Sequence, residues 1–236
     1  MPSRFEELDW QQTPIGEISL RRRVEPTLGV EVYEVKLGEE FLMSSLFTVA
    51  EEELARLGLA QPTVDRIDVL VGGLGLGYTA AAALADPRVS ELIVIDAVAP
   101  VIDWHRRELL PETVGLAADS RVHLVEDDFF HVIAQMGPVA AGAPAQFDVI
   151  LLDIDHSPDH VLHPSHASFY RTDGLTHLLD HMSSDGVFAL WSDDPPDESF
   201  MTRLAEVFPA VAAHVVEFPN PLTRGTSANT VYVAQR

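Results

Sequence analysis

The chain contains no cysteine among its 236 residues. Disulfide bonds, thiolate catalysis and zinc sites with cysteine ligands are therefore excluded. Long apolar runs are also missing, since none reaches the ~18 residues that a membrane-spanning helix needs. Residues 1–10 are acidic and have no apolar core, which is unlike a secretory signal. We therefore expect a cytoplasmic protein.

Positive charge is scarce in this sequence. Lysine and arginine number 15 against 37 aspartate and glutamate residues, which gives a formal net charge of -22 at pH 7. Such a surface repels phosphate backbones and anionic membranes, so we expect neither nucleic acid nor a membrane as a partner. The charge favours a small partner molecule that is cationic or neutral. A hydrophobic fraction of 47% is enough for a packed core.

The first fifty residues differ from the rest of the chain. Residues 17–23 and 30–37 each have the composition of a short strand, and glycine and proline between them favour a turn. We predict a small N-terminal β-hairpin unit at residues 1–50. Residues 47–59 then have the apolar periodicity of a helix.

From residue 67 onward, short apolar strands alternate with helical segments. The predicted strands are residues 67–71, 92–95, 122–125, 147–152, 186–191, 211–218 and 229–234. Alternation of this kind is typical of a parallel sheet covered by helices on both faces. The last two strands are separated by a short loop, which indicates an antiparallel C-terminal edge. The predicted class is α/β: a Rossmann-like domain at residues 51–236 with a mostly parallel seven-stranded sheet.

A glycine-rich loop joins the first of these strands to its helix. Its candidate cofactor-binding residues are Gly73, Leu74, Gly75 and Gly77. Glycine lets a backbone approach a ligand closely, and the free N–H groups at a helix start attract a carboxylate or phosphate. Asp96, followed by Ala97, ends the next strand, where a carboxylate can hold ribose hydroxyl groups. We predict a nucleoside-containing cofactor here; a tight turn without a ligand is the alternative.

Two classes of cofactor fit this loop. Residues 75–80 match the Gly-x-Gly-x-x-Ala pattern of dinucleotide sites, with Asp96 about twenty residues further on. The third strand, however, ends in Asp127, Asp128 and Phe129, a carboxylate and ring suited to adenine. We therefore predict S-adenosylmethionine, or its decarboxylated form, over a nicotinamide dinucleotide. Asp128 also stands where an aspartate caps a helix, and both roles can coexist.

The fourth strand delivers Asp153, Asp155 and His156 to the edge of the sheet where ligands bind. A carboxylate or imidazole there could orient an amine and remove its proton, so we predict that these residues are catalytic. Asp193 and Asp194 end the fifth strand and either line the same pocket or cap a turn.

Four histidines follow at a spacing of three or four residues: His156, His160, His163 and His166. On one helix face they could bind a metal ion. Pro158 and Pro164 interrupt any such helix, so we predict that the chain has no metal site and that the histidines lie in a loop.

The order of these motifs resembles that of the spermidine synthase-like branch of the class I S-adenosylmethionine-dependent methyltransferase fold. The matching segments are residues 69–77, 92–96, 122–129, 147–153, 169–170 and 186–191. The resemblance implies transfer of a methyl or aminopropyl group from an adenosyl sulfonium to an acceptor, often an amine. It implies that Asp96 binds ribose, that Asp128 lies beside adenine and that Asp153 is the acid of the fourth strand. It also implies a homodimer.

Three features of aminopropyltransferases differ in this chain. Leu76 replaces the loop carboxylate that holds the propylamine of the decarboxylated cofactor. His156, followed by Ser157, replaces the second aspartate and its proline. The glutamine and the Tyr-His-Glu group that precede the nucleotide domain are not evident at residues 41–53.

We therefore predict methyl transfer to a small acceptor such as an amine, with S-adenosylmethionine bound more tightly than its decarboxylated form. Aminopropyl transfer from the decarboxylated cofactor is the first alternative. A non-catalytic nucleoside-binding protein is the second, and nicotinamide-dependent oxidoreduction is the third.

Overall fold

Two β-sheets organise the chain. The computed structural model describes residues 5–236, so residues 1–4 of the predicted N-terminal unit lie outside the described residues. The strands are β1 (Phe5–Thr13), β2 (Gly16–Val24), β3 (Glu31–Leu37), β4 (Glu40–Ser44), β5 (Ile67–Gly72), β6 (Val89–Asp96), β7 (Val122–Glu126), β8 (Phe147–Leu152), β9 (Met182–Ser192), β10 (Ala210–Asn220) and β11 (Gly225–Gln235). The helices are α1 (Val49–Leu59), α2 (Tyr78–Leu84), α3 (Ala99–Arg106), α4 (Phe129–Ile133), α5 (Thr172–His181) and α6 (Glu198–Val207).

The larger sheet has the predicted seven strands, in the order β10-β11-β9-β8-β5-β6-β7. Strands β5 to β9 pair in parallel, whereas β11 pairs antiparallel with both β9 and β10. The Rossmann-like α/β fold and its antiparallel C-terminal edge are therefore confirmed. No helix within residues 5–236 has the length and apolar composition needed to cross a membrane.

Both faces of this sheet are buried, because successive side chains along a strand point to opposite sides. Val69 and Val71 of β5 lie in a core that includes residues of α1, α2, α3 and the N-terminal sheet. Leu70 lies in a second core, with residues of α4, α5 and α6. The continuous apolar composition of β5 and β8 follows from this double burial.

The predicted hairpin corresponds to β2 and β3, but the N-terminal unit is a four-stranded antiparallel sheet, β1-β2-β3-β4. The additional strand β1 has the sequence FEELDWQQT, and five of its nine residues are exposed. Main-chain pairing with β2 and ion pairs such as Arg22–Glu6, with N···O 2.6 Å, hold it in place. It carries no alternating apolar face, the signal that indicates a strand in a sequence.

Two separate helical elements lie between β8 and β9 in this part of the chain. A short 3-10 helix, Pro164–Ser168, ends before α5 begins at Thr172. Gly174 lies inside α5, and a Cβ there would come within 2.3 Å of the Ser168 carbonyl oxygen. The glycine therefore lets α5 pack directly on the turn that precedes it.

A part-buried hydrogen bond joins the N-terminal sheet to the α/β domain. The indole Nε1 of Trp104, in α3, donates to Asp9 Oδ2 of β1 at 2.7 Å, and the Trp104 side chain is fully buried. Burial raises the pKa of Asp9, but bonds from Gln11 and Trp104 and the charge of Arg107 outweigh it and lower the pKa overall. Asp9 is therefore an ionised acceptor for a buried donor.

Replacing Asp9 tests this tie. Asp9→Ala leaves the Trp104 indole without an acceptor, which costs ~1–3 kcal/mol for a buried donor. We expect a free energy of unfolding lower by that amount in urea denaturation. Glu7→Ala on the same strand removes an exposed carboxylate, so it should change stability by less than ~0.5 kcal/mol. Equal denaturation midpoints for the two variants would show that the bond between Asp9 and Trp104 does not stabilise the contact of β1 with α3.

Candidate active site

The glycine loop after β5 is shaped by close approach of the protein's own atoms. Gly73 has φ +93°, and a Cβ there would lie 2.1 Å from the Asp153 carbonyl oxygen. Gly77 has φ +88°, and a Cβ there would lie 2.6 Å from His105 Cε1. Both positions exclude other residues whether or not a ligand binds. Gly73 and Gly77 are therefore required by the fold, and their predicted contact with a cofactor is a separate question.

Gly75 faces the side chain of Met43 instead of the core. Its φ is +48°, and a Cβ there would meet Met43 Sδ at 2.7 Å. Met43 belongs to β4 of the N-terminal sheet. A ligand that approaches the Gly75 backbone must displace this flexible thioether side chain.

Asp96, which is predicted to bind ribose, accepts hydrogen bonds from the backbone of the glycine loop. Its Oδ2 accepts the N–H groups of Leu74 at 2.9 Å and Gly75 at 3.5 Å, and its Oδ1 accepts that of Val98 at 2.8 Å. Burial raises the pKa of Asp96 despite these bonds. The N–H groups of Leu74 and Gly75 are thus already bonded, while Oδ1 keeps a free lone pair for a hydroxyl group. The neighbouring Ala97 is exposed.

The three residues predicted to lie beside adenine differ from one another in exposure and in hydrogen bonding. Asp128 caps α4, because its Oδ1 accepts the N–H groups of Phe130 at 2.9 Å and His131 at 3.4 Å. Asp127 is exposed and accepts the N–H of Asp128 at 2.8 Å. Phe129 is only 1% exposed, and a Cβ on Gly72 would lie 2.6 Å from its ring. The capping role of Asp128 is shown, whereas Phe129 is a core residue with almost no surface to offer adenine.

Strand β8 places Asp153 at the carboxyl edge of the sheet. Its N–H donates to the Gly72 carbonyl at 2.8 Å, which continues the pairing with β5. Its Oδ2 accepts the hydroxyl of Thr79 in α2 at 2.7 Å. Asp153 is therefore fixed by both its backbone and its side chain.

Asp155 points away from Asp153, into the protein. It is 1% exposed and accepts hydrogen bonds from Leu162 N at 2.7 Å, His166 Nδ1 at 2.9 Å and the Tyr170 hydroxyl at 2.8 Å. These donors anchor the loop that follows β8. Asp155 thus positions this loop and does not line the pocket, while its predicted catalytic role stays a prediction.

The histidines of this loop are dispersed. His156 lies 3.4 Å from Glu40 through Nε2, and His160 lies 2.9 Å from Asp194 through Nδ1. His163 accepts the N–H of Ser165, whereas His166 stacks on the ring of Phe130. Within residues 5–236, no group of three or more histidine or carboxylate side chains is placed to hold a metal ion.

A pocket of about 510 Å³ lies where the two sheets meet. Its lining residues come from β4, α1, the glycine loop, the ends of β8 and β9, and the hairpin of β10 and β11. They are Phe41, Leu42, Met43, Ser44, Phe47, Glu51, Leu74, Gly75, Leu76, Gly77, Tyr78, Asp153, Ile154, His156, Leu162, Trp191, Asp193, Phe218, Ser227, Ala228 and Asn229. Asp153 and His156 are the predicted catalytic residues that reach this pocket.

Three carboxylates form an acidic cluster in the lining: Glu51, Asp153 and Asp193. Burial, followed by the charge of Asp153, raises the pKa of Glu51 to about 8, and Asp193 adds to the shift. Burial raises the pKa of Asp153 to about 6. Neither lysine nor arginine is among the lining residues. The pocket therefore favours a cation, which would restore the ionised form of both groups.

Glu51 was not identified from the sequence. It stands in a run of three glutamates at the start of α1, and Glu52 and Glu53 have the same local composition. The buried residues Ala50, Leu54 and Ala55 mark the core-facing stripe of this helix. Glu51 borders that stripe, so the helical periodicity distinguishes Glu51 from the neighbouring glutamates once the bounds of α1 are known.

Known proteins resemble this chain in structure but not detectably in sequence. No family model matches the chain, and no curated protein sequence matches it. A spermidine synthase solved in complex with the transition-state analogue AdoDATO superposes with a TM-score of 0.72 and 21% identity, over 97% of this chain and 72% of that one. The spermidine synthase of Thermotoga maritima gives 0.72 and 20%, with the same coverage.

The chain has the spermidine synthase fold. A probable spermidine synthase from Corynebacterium glutamicum ATCC 13032 shares it, with a TM-score of 0.65 and 16% identity over 96% of this chain and 79% of that one. The resemblance seen in the sequence motifs is thus confirmed at the level of the fold. The spermidine synthase fold includes the N-terminal sheet here, because nearly the whole chain is covered.

The acidic cluster has a consequence for stability that can be measured. The pKa values of Glu51 and Asp153 rise from 4.5 and 3.8 to about 8 and about 6. The folded protein therefore keeps protons that the unfolded chain releases. The stability is fully present at low pH and is lost as pH rises through these folded values. We expect the melting temperature of the ligand-free protein to fall across this range.

Glu51→Gln tests this pH dependence, because the amide stays neutral. Its melting temperature should fall less than that of the unmodified protein between about pH 5 and about pH 8. Glu53→Gln is the matched control, since Arg56 lowers the pKa of Glu53 and moves its titration below this range. Parallel pH profiles for the unmodified protein and Glu51→Gln would contradict the shift assigned to Glu51.

Proposed function

We propose that the protein transfers an aminopropyl group from decarboxylated S-adenosylmethionine to a small amine. The observation that carries this proposal is the acidic cluster of Glu51, Asp153 and Asp193, in a pocket lining without lysine or arginine. It replaces the methyl transfer predicted from the sequence and agrees with the first alternative. The spermidine synthase fold supports the same class of donor.

The form of the donor follows from charge. The decarboxylated donor ends in a propylammonium group, which needs a carboxylate partner once it leaves water. Leu76 cannot supply one, but Glu51 of α1 lines the same pocket and can do so. The carboxylate of intact S-adenosylmethionine would enter a lining that has three acidic side chains and neither lysine nor arginine to pair with it. The N–H groups of Leu74 and Gly75 in the loop are bonded to Asp96 and do not supply that pairing.

The proposed reaction requires the protein mainly to position the donor and the amine. The sulfonium donor supplies an activated carbon when bound. The amine lone pair forms the new C–N bond as the C–S bond breaks, and the electron pair of that bond passes to sulfur, which leaves as a thioether. The proton lost from the amine passes to Asp153 or His156, the predicted catalytic residues that line the pocket. The protein's main contribution is to hold the two reactants in line.

Methyl transfer is the second candidate, and Leu76 is the observation that favours it. Without a loop carboxylate, the site lacks one of the acidic groups that repel the intact cofactor. The acidic cluster outweighs this single change, because three carboxylates line the pocket in its place.

Parallel calorimetric titrations distinguish the two candidates. We expect decarboxylated S-adenosylmethionine to bind at least about tenfold more tightly than the intact cofactor, or ~1.4 kcal/mol. Methylthioadenosine, which has no ammonium group, serves as the neutral reference. Tighter binding of the intact cofactor would restore methyl transfer as the better-supported function.

Glu51→Gln tests which residue creates this preference. The variant should weaken binding of the decarboxylated donor by about tenfold, because its ammonium loses a carboxylate partner. Binding of methylthioadenosine should be unchanged. Glu53→Gln, on the same helix but outside the pocket lining, should bind all three ligands as the unmodified protein does. A uniform loss for all ligands in Glu51→Gln would instead indicate a damaged pocket.

A further inference from the structure

The side chains that line the pocket indicate which class of amine can act as the acceptor, if the function proposed above is correct. We infer that the acceptor is a primary monoamine with an apolar, ring-sized body, and that a linear diamine is a poor acceptor. The inference depends on the separation of charged and apolar side chains within one pocket. It names the substrate class of the site, which the spermidine synthase fold by itself leaves open.

Most of the lining is apolar and much of it is aromatic. The apolar walls are Phe41, Leu42, Met43, Phe47, Trp191 and Phe218. Phe47, which precedes α1, and Phe218, in β10, have ring centroids 5.7 Å apart, so they join the two sides of the pocket into one surface. An apolar ligand body gains free energy on such a surface in proportion to the area it removes from water.

The carboxylates of the lining interact with one another. They are Glu51, Asp153 and Asp193, and the charges of Asp153 and Asp193 both act on Glu51. The donor ammonium and the attacking amine would share this acidic cluster. The second ammonium of a linear diamine would extend toward the apolar walls, where it loses hydration without gaining a partner. His156 offers it no attraction, and Glu40, which lies 3.4 Å from His156, is outside the lining.

The apolar walls come from elements other than the glycine loop. Of the residues predicted to bind the cofactor, Leu74, Gly75, Gly77 and Asp153 line the pocket, whereas Asp96, Asp127 and Asp128 lie outside it. The pocket volume of about 510 Å³ falls in the range that holds a small organic ligand. The donor would reach the pocket along the glycine loop, and the apolar walls would then be left for the body of an acceptor of phenethylamine size.

Three amines separate the contributions of ring and charge. Phenethylamine carries one amine and a ring, n-butylamine one amine and a short chain, and putrescine two amines and the same short chain. We expect calorimetry on the full chain to give at least about tenfold tighter binding for phenethylamine than for putrescine, with n-butylamine between them. Release of methylthioadenosine from the decarboxylated donor should follow the same order in kcat/KM, with the mass of the aminopropylated product as confirmation.

A matched pair of variants tests the apolar wall. Phe47→Ala should lower kcat/KM for phenethylamine by about tenfold and leave that for putrescine within about twofold. Val49→Ala, two residues along and outside the pocket lining, should change neither. Phe47→Leu, which keeps an apolar side chain, provides the same comparison if the alanine variant does not fold.

The outcomes distinguish this inference from the function on which it rests. If putrescine binds and reacts better than phenethylamine, the inference is overturned and aminopropyl transfer stands. If the amines bind in the expected order but no methylthioadenosine is released, the acceptor class stands and the transfer reaction is wrong. If none of the amines binds or reacts, both proposals fail.

Discussion

The close approach of the Gly73 backbone to the Asp153 carbonyl oxygen fixes the geometry of the whole site. A Cβ at Gly73 would lie 2.1 Å from that oxygen, so the loop after β5 and the end of β8 can meet only because the side chain is absent. This contact sets Asp153 beside Thr79 at the start of α2. The helix α1 then brings Glu51 to the same place, and the acidic cluster follows from the packing of main-chain elements.

The acidic cluster relates the fold to the proposed chemistry. Burial makes the ionised forms of Glu51 and Asp153 unfavourable, so both pKa values are raised in the ligand-free protein. A cationic ligand would stabilise the ionised forms. The site therefore favours positive charge. In the proposed reaction, Glu51 of α1 would take the electrostatic role that Leu76 of the loop cannot.

The sequence predicted the central sheet well because its strands are buried on both faces. The apolar runs of β5 and β8 and the glycines after β5 are local signals, and so is the aspartate that ends β6. Strand β1 was missed because pairing with β2, rather than an apolar face, defines it. The direction of a side chain is also not local: Asp155 follows Asp153 by two residues yet turns into the protein.

The same limit applies to Glu51 and Phe129. The contribution of Glu51 depends on how α1 packs against the glycine loop, and the sequence shows only a run of similar glutamates. Phe129 has the composition expected beside adenine, but Gly72 leaves room for its ring in the core. In both cases long-range packing decides between residues that look equivalent in the sequence.

Met43 places a side chain of the N-terminal sheet against the glycine loop, since a Cβ on Gly75 would lie 2.7 Å from its Sδ. Met43 belongs to β4, so this contact joins the small sheet to the loop through one flexible thioether. Under the proposed function, a donor that approached Gly75 from this side would replace the Met43 contact with its own. An optical probe on β4 would then respond to donor binding separately from the transfer step.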